Sequence, residues 1–126
     1  MTMTITITMK IIQKMIFVFI ALTATVALAG DAGLLKKCKV DVTWNRHGED
    51  AVVTVTVTNK TGKKLVDPSV RVTFYDAEER EVGGDSKTYF KTVPPGAKKK
   101  FEARIFSYVP AEAKTAKGVV EGGVLK

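Results

Sequence analysis

Ala51-Val52-Val53-Thr54-Val55-Thr56-Val57-Thr58-Asn59 decides the fold. Val53, Val55 and Val57 fall on one face of an extended chain and Thr54, Thr56 and Thr58 on the other, the two-residue period of a strand with one buried side. β-branched residues on both faces favour the pleated backbone locally as well as through burial. Upstream, Cys38, Val40, Val42 and Trp44 alternate with Lys39, Asp41 and Thr43, and the polar turn Asn45-Arg46-His47-Gly48-Glu49-Asp50 joins the two runs into a hairpin.

Downstream, Asn59-Lys60-Thr61-Gly62-Lys63-Lys64 is a turn, and after Pro68 a third strand sets Val70, Val72 and Phe74 against Arg71, Thr73 and Tyr75. Ala77 to Glu81 is a charged turn. Val82 reads as a strand fragment ended by Gly83-Gly84, Thr88 to Val93 as a further strand, and Pro94-Pro95-Gly96 as a corner. Phe101, Ala103 and Ile105 alternate with Lys100, Glu102 and Arg104. Ala111 to Lys117 reads as a helical turn, and Val119 to Val124 as the closing strand. About seven short strands separated by Gly, Pro and Asn turns predict an all-β, antiparallel immunoglobulin-like β-sandwich, with a small barrel as the alternative. Trp44, Phe74, Phe101 and Phe106 are the aromatic candidates for its interior.

Several of these segments resemble the FxLYD domains of exported bacterial and archaeal proteins. The resemblance rests on Val53 to Asn59 followed by Thr61-Gly62, on Val70-Arg71-Val72-Thr73-Phe74-Tyr75-Asp76, and on Val93-Pro94-Pro95-Gly96 followed by Phe101. It covers about residues 38 to 124. Val72 and Phe74 depart from the phenylalanine and leucine of the family name but keep a core-facing character. The resemblance implies an immunoglobulin-like sandwich without enzymatic activity. The motif also has a purely structural reading: Val72 and Phe74 face the core, Tyr75 covers a sheet face with its hydroxyl toward water, and Asp76 accepts backbone N–H groups of the following turn.

The first 29 residues read as a signal peptide. Lys10 and Lys14 precede an apolar run from Met15 to Leu28, which ends in the small-x-small pattern Ala27-Leu28-Ala29. The run is shorter than the ~20 residues of a membrane-spanning helix, which disfavours an uncleaved anchor. Cys38 lacks the small residues that precede a lipid-attachment cysteine. The expected organisation is therefore a signal peptide over 1–29, a short flexible leader over 30–36 and one domain over 37–126, secreted or periplasmic, without stable membrane insertion after cleavage. A single cysteine permits no internal disulfide, so an apolar core must hold the fold.

Catalytic chemistry finds few candidates. The single histidine, His47, sits in a polar turn, and Cys38 shares a face with Val40, Val42 and Trp44, which predicts a buried, inert thiol. Glu78, Glu79 and Glu81 are carboxylates of a turn rather than of a cleft. The sequence thus predicts no enzyme, no cofactor and no metal site. Asn59-Lys60-Thr61 formally matches a glycosylation acceptor.

The net charge is +7, and removing Lys10 and Lys14 with the leader leaves the chain basic. If the strands run simply up and down, the loop Lys60 to Pro68 and the loop Tyr108 to Lys117 share one end, bringing together Lys60, Lys63, Lys64, Lys114, Lys117 and Tyr108 as an anion- or partner-binding surface. Arg46 to Asp50, Ala77 to Glu81 and Pro94 to Ala97 then share the other. The expected function is a non-catalytic interaction module of the cell envelope that binds a protein or an anionic surface polymer, as a monomer or weak homodimer. Nucleic acid is not an expected partner, because the lysines lack interleaved aromatics. The alternative is a structural protein that self-associates through strand edges.

Overall fold

The computed structural model describes residues 30–126, so the expected signal peptide lies outside the described residues. Residues 34–126 form one compact unit. This unit is an antiparallel β-sandwich.

A six-residue helix, α1 (Gly30–Leu35), is followed by β1 (Lys39–His47), β2 (Asp50–Thr58), β3 (Leu65–Tyr75), β4 (Glu81–Thr88), β5 (Thr92–Val93), β6 (Lys98–Lys100), β7 (Arg104–Phe106) and β8 (Thr115–Leu125). One sheet is built on β2, which pairs with β1 on one side and with β6 and β7 on the other. The other is built on β3, which pairs with β4 and β5 on one side and with β8 on the other. The expected flexible leader is instead helical, and Leu35 is buried in the apolar core.

The two central strands supply most of that core. Ala51, Val53, Val55 and Val57 of β2 face Leu65, Val70, Val72 and Phe74 of β3, all 0–1 % exposed. Phe74 meets Trp44 edge-on at 5.2 Å between ring centroids and Phe106 at 6.1 Å, which links both sheets through one aromatic row. Trp44 itself is only half-buried, because β1 is an edge strand. On this edge the sheets approach closely at Gly118 of β8. A Cβ there would lie 2.7 Å from Val40 Cγ1 and 2.9 Å from Val42 Cγ2.

The structure corrects the sequence reading at β4. Gly83 and Gly84 do not end a fragment; they lie inside β4, opposite Phe74 and Thr73 of β3. The glycine at 84 is required by close approach, since a Cβ would sit 2.8 Å from the Val72 carbonyl oxygen. β4 and β5 therefore run in one direction, interrupted at Tyr89–Lys91, and the chain makes one reversal fewer than expected. Every later loop changes ends. Lys114 N–H donates to the Tyr75 carbonyl (2.7 Å) and Val109 N–H to the Glu49 carbonyl (2.7 Å), so the Tyr108 to Lys114 loop lies with the turns after β1 and β3. Asn59 N–H donates to the Ala97 carbonyl and Gly96 N–H to the Asn59 carbonyl, so the Pro94 to Ala97 corner lies with the turn after β2.

Two smaller corrections follow from irregular backbone. Phe101 and Phe106 are buried while Ala103 and Ile105 are exposed, because the gap between β6 and β7 shifts the alternation by one residue. Ala111 and Glu112 form a turn, and β8 begins at Thr115, so no helical turn reaches Lys117.

Candidate functional site: a lysine-bearing end held by Asn59

Asn59 ends β2 with a side chain that is wholly buried. Asn favours such a position because its carboxamide can both accept and donate within a turn. Its Oδ1 accepts from the Thr61 N–H (3.0 Å) and from Thr61 Oγ1 (2.7 Å), which closes the turn locally. Its Nδ2 donates to the Lys63 carbonyl (2.7 Å) and, across the sandwich, to the Val93 carbonyl (2.9 Å). The main chain completes the knot: Asn59 N–H donates to the Ala97 carbonyl (2.9 Å), and Gly96 N–H donates to the Asn59 carbonyl (2.8 Å). One residue thus ties the turn after β2 to the corner after β5.

This knot also settles the acceptor sequence Asn59-Lys60-Thr61. The amide nitrogen that would carry a glycan is buried and hydrogen-bonded to the carbonyls of Lys63, Val93 and Pro94, so the folded domain does not offer it.

The residues that the knot positions are basic. Lys60, Lys63 and Lys64 are exposed on the turn, Lys98 and Lys99 begin β6 opposite Thr58 and Val57, and Lys126 is joined to Lys64 by two backbone hydrogen bonds. Lys39 stands opposite Thr58 at the start of β1, and its ammonium lies 4.0 Å from Asp41. The half-buried Cys38 is at this end too: burial pushes its thiol above the usual range, outweighing a hydrogen bond from the Lys60 backbone that acts the other way. The thiol is therefore protonated at neutral pH.

The opposite end carries carboxylates around a second knot. Asp76 Oδ1 accepts from the N–H groups of Glu78 and Arg80 (2.9 Å each), and Oδ2 accepts from Arg80 Nε (2.9 Å). The Arg80 backbone N–H holds the Asp76 carboxyl below its ordinary range, aided by the Arg80 side chain and the Glu78 N–H and opposed by burial. Glu49, Asp50, Glu78, Glu79 and Glu81 surround this end. Arg46 bridges it by donating to the Val109 (2.9 Å) and Pro110 (2.6 Å) carbonyls.

A folded pKa below the unfolded value near 4 means that Asp76 contributes full stability above about pH 4 and loses it as pH falls through the folded pKa. Asp76→Asn should therefore lower the urea midpoint at pH 7 and flatten its dependence on pH below about 4. Midpoints that fall equally steeply with acid in both proteins would contradict this.

The six residues expected to share one surface are split between the ends. Lys60, Lys63 and Lys64 remain together at the Asn59 end. Lys114, Lys117 and Tyr108 lie at the Asp76 end, roughly 33 Å away along β3 at ~3.3 Å per residue. There Lys117 sits over the Tyr75 ring at 5.3 Å, and Tyr108 is 82 % exposed with φ 58°. Of the other motif residues, Val72 and Phe74 are buried in the core and Tyr75 is half-buried. Sequence reasoning missed Lys98, Lys99 and Lys126 as members of the basic end, since the extra reversal assigned to Gly83-Gly84 had moved the Pro94 corner away.

Cys38 and His47 flank the two ends of β1 and cannot meet as nucleophile and base. Among the described residues no three His, Cys, Asp or Glu side chains are grouped to hold a metal ion, and no helix is long and apolar enough to cross a membrane. No protein-family model, no curated protein and no solved structure matches this chain.

Proposed function

We propose that this chain is an exported, non-catalytic interaction module of the cell envelope, immunoglobulin-like and akin to FxLYD domains, which binds an anionic surface component through its Asn59 end. The observation that carries the reading is the imbalance of charge: the lysines of the turn after β2 and of β6 gather at one end, while the carboxylates of the turns after β1 and β3 gather at the other, where Arg46, Arg80, Lys114 and Lys117 offset them only in part. A surface of one sign on a rigid scaffold attracts polyanions and orients their approach. The fully satisfied Asn59 knot supports the rigidity, because lysines mounted on a fixed turn lose less freedom on binding.

Self-association through strand edges is the competing reading. β1 and β8 each pair on one side only. β8, however, has register shifts opposite Val66 to Val70 and carries Lys117 and Glu121, devices that blunt an edge against further pairing.

The test is retention on heparin, a soluble polyanion, across a salt series. Lys63→Glu with Lys64→Glu should weaken binding at least about tenfold at low salt, at ~1 kcal/mol per lysine near an anionic surface. Lys114→Glu with Lys117→Glu makes the same change in net charge at the far end and should matter much less. Equal losses from both pairs would reduce the effect to net charge and remove the assignment.

A further inference from the structure

We infer that the Asn59 end docks on an anionic phospholipid bilayer, with Phe90 as its apolar anchor; this rests on the anion-binding reading above and names its partner. Phe90 is 78 % exposed, although it lies in the break between β4 and β5, beside a core aromatic. Its neighbour Tyr89 is buried and stacked on Phe101 at 4.7 Å between centroids, with the Arg104 guanidinium 5.3 Å from the Tyr89 ring. The break is held by Tyr89 N–H donating to the Pro68 carbonyl and Asp67 N–H donating to the Lys91 carbonyl, 2.9 Å each. Phe90 is thus presented outward by a fixed backbone at the rim of a shallow depression of about 240 Å³.

Its surroundings combine apolar surface with a mostly positive charge, Glu102 of the same depression and Asp67 beside Lys91 being the nearby carboxylates. Two residues on, Thr92 pairs with Val66 of β3, and Val66 pairs on its other side with Val124 of β8, which is 50 % exposed. These three residues lie on the outer face of the sheet, since the adjacent row of Leu65, Val93 and Leu125 packs inward. Thr92 and Val124 therefore flank Val66 of β3, two strand spacings or about 10 Å apart, and Phe90 precedes Thr92 by two residues. Lys91 is adjacent to Phe90, and Lys99 Nζ reaches the Thr92 carbonyl at 3.5 Å. Lys64 and Lys126 join the ends of β3 and β8 beside Val124.

A soluble polyanion gains from the lysines but nothing from covering Phe90 and Val124. A bilayer gains from both, because headgroups meet the ammonium groups while the apolar side chains enter the acyl boundary. The carboxylates at the Asp76 end would be repelled from the same surface, so docking is end-on and leaves Tyr108 facing away from the membrane.

The experiment compares the 30–126 domain on two probes: heparin, and vesicles of phosphatidylglycerol mixed with phosphatidylcholine. Phe90→Ser, at an exposed position, should weaken vesicle binding about tenfold and leave heparin binding unchanged. Lys63→Glu with Lys64→Glu should weaken both. Vesicle binding untouched by Phe90→Ser, with the lysine dependence intact, overturns the bilayer assignment while the anion-binding reading stands. Heparin binding weakened as much as vesicle binding by Phe90→Ser also overturns it, by assigning the aromatic to a polymer. Indifference of both probes to the lysine pair overturns the underlying reading itself.

Discussion

Asn59→Ala should destabilise the domain by about 3 kcal/mol, far more than a polar turn residue ordinarily costs. The variant removes the two donors that satisfy the Lys63 and Val93 carbonyls and the acceptor used by the Thr61 N–H and hydroxyl. Val93 lies in the interior, so its carbonyl cannot recover the lost bond from solvent without opening the corner. Asn59→Asp is a sharper version of the same test. It keeps the acceptor but sets a buried carboxylate against two carbonyl oxygens, which raises its folded pKa. Its destabilisation should be greatest at neutral pH and shrink as acid restores a proton to donate. Urea unfolding of the two variants between pH 4 and 7 measures both effects, and a loss below about 0.5 kcal/mol in Asn59→Ala would show that the knot is not structural.

Phe74→Ala should cost about 4 kcal/mol, the larger of the two effects. The ring is 1 % exposed and is the shared partner of Trp44 and Phe106, so its loss leaves a void between the sheets that neither neighbour can fill without leaving its own strand. Phe74→Leu retains most of the volume and should cost about 1.5 kcal/mol or less. Trp44 is the chain's single tryptophan and meets Phe74 edge-on, so its emission reports the change directly: Phe74→Ala should shift it to the red in the folded state. An unchanged emission maximum with an unchanged denaturation midpoint would mean that the row does not bridge the sheets.

The sandwich was legible because β2 alternates along its whole length and β3 alternates from Pro68 to Tyr75. Val53, Val55 and Val57 read as one buried face and are one, as do Val70, Val72 and Phe74. Legibility failed where the chain departs from a uniform period. Gly83-Gly84 has the composition of a stop, but its meaning is local crowding against β3, a relation between distant segments that no window of sequence contains. That one misreading reversed the parity of every later loop and scattered the lysines. Phe101, Ala103 and Ile105 alternate in sequence, yet the backbone gap between β6 and β7 breaks the period before Ile105. Asn59 was visible as a turn residue but not as a buried one, since its role depends on Val93 and Ala97, which are close only after folding. Exposure of Phe90 was equally hidden, because it follows from an interruption of β4–β5 inside a run that otherwise reads as strand.

The pairing of β3 with β8 has a consequence in time. Tyr75 pairs with Thr115 and Leu65 with Leu125, so β3 cannot acquire its second neighbour until nearly every other described strand has left the ribosome. Contacts so distant along the chain make closure slow, on the millisecond-to-second scale typical of sandwiches. Until β8 arrives, the valine-rich flank of β3 stands open to any extended segment, and the domain is most vulnerable to aggregation during that interval rather than after it.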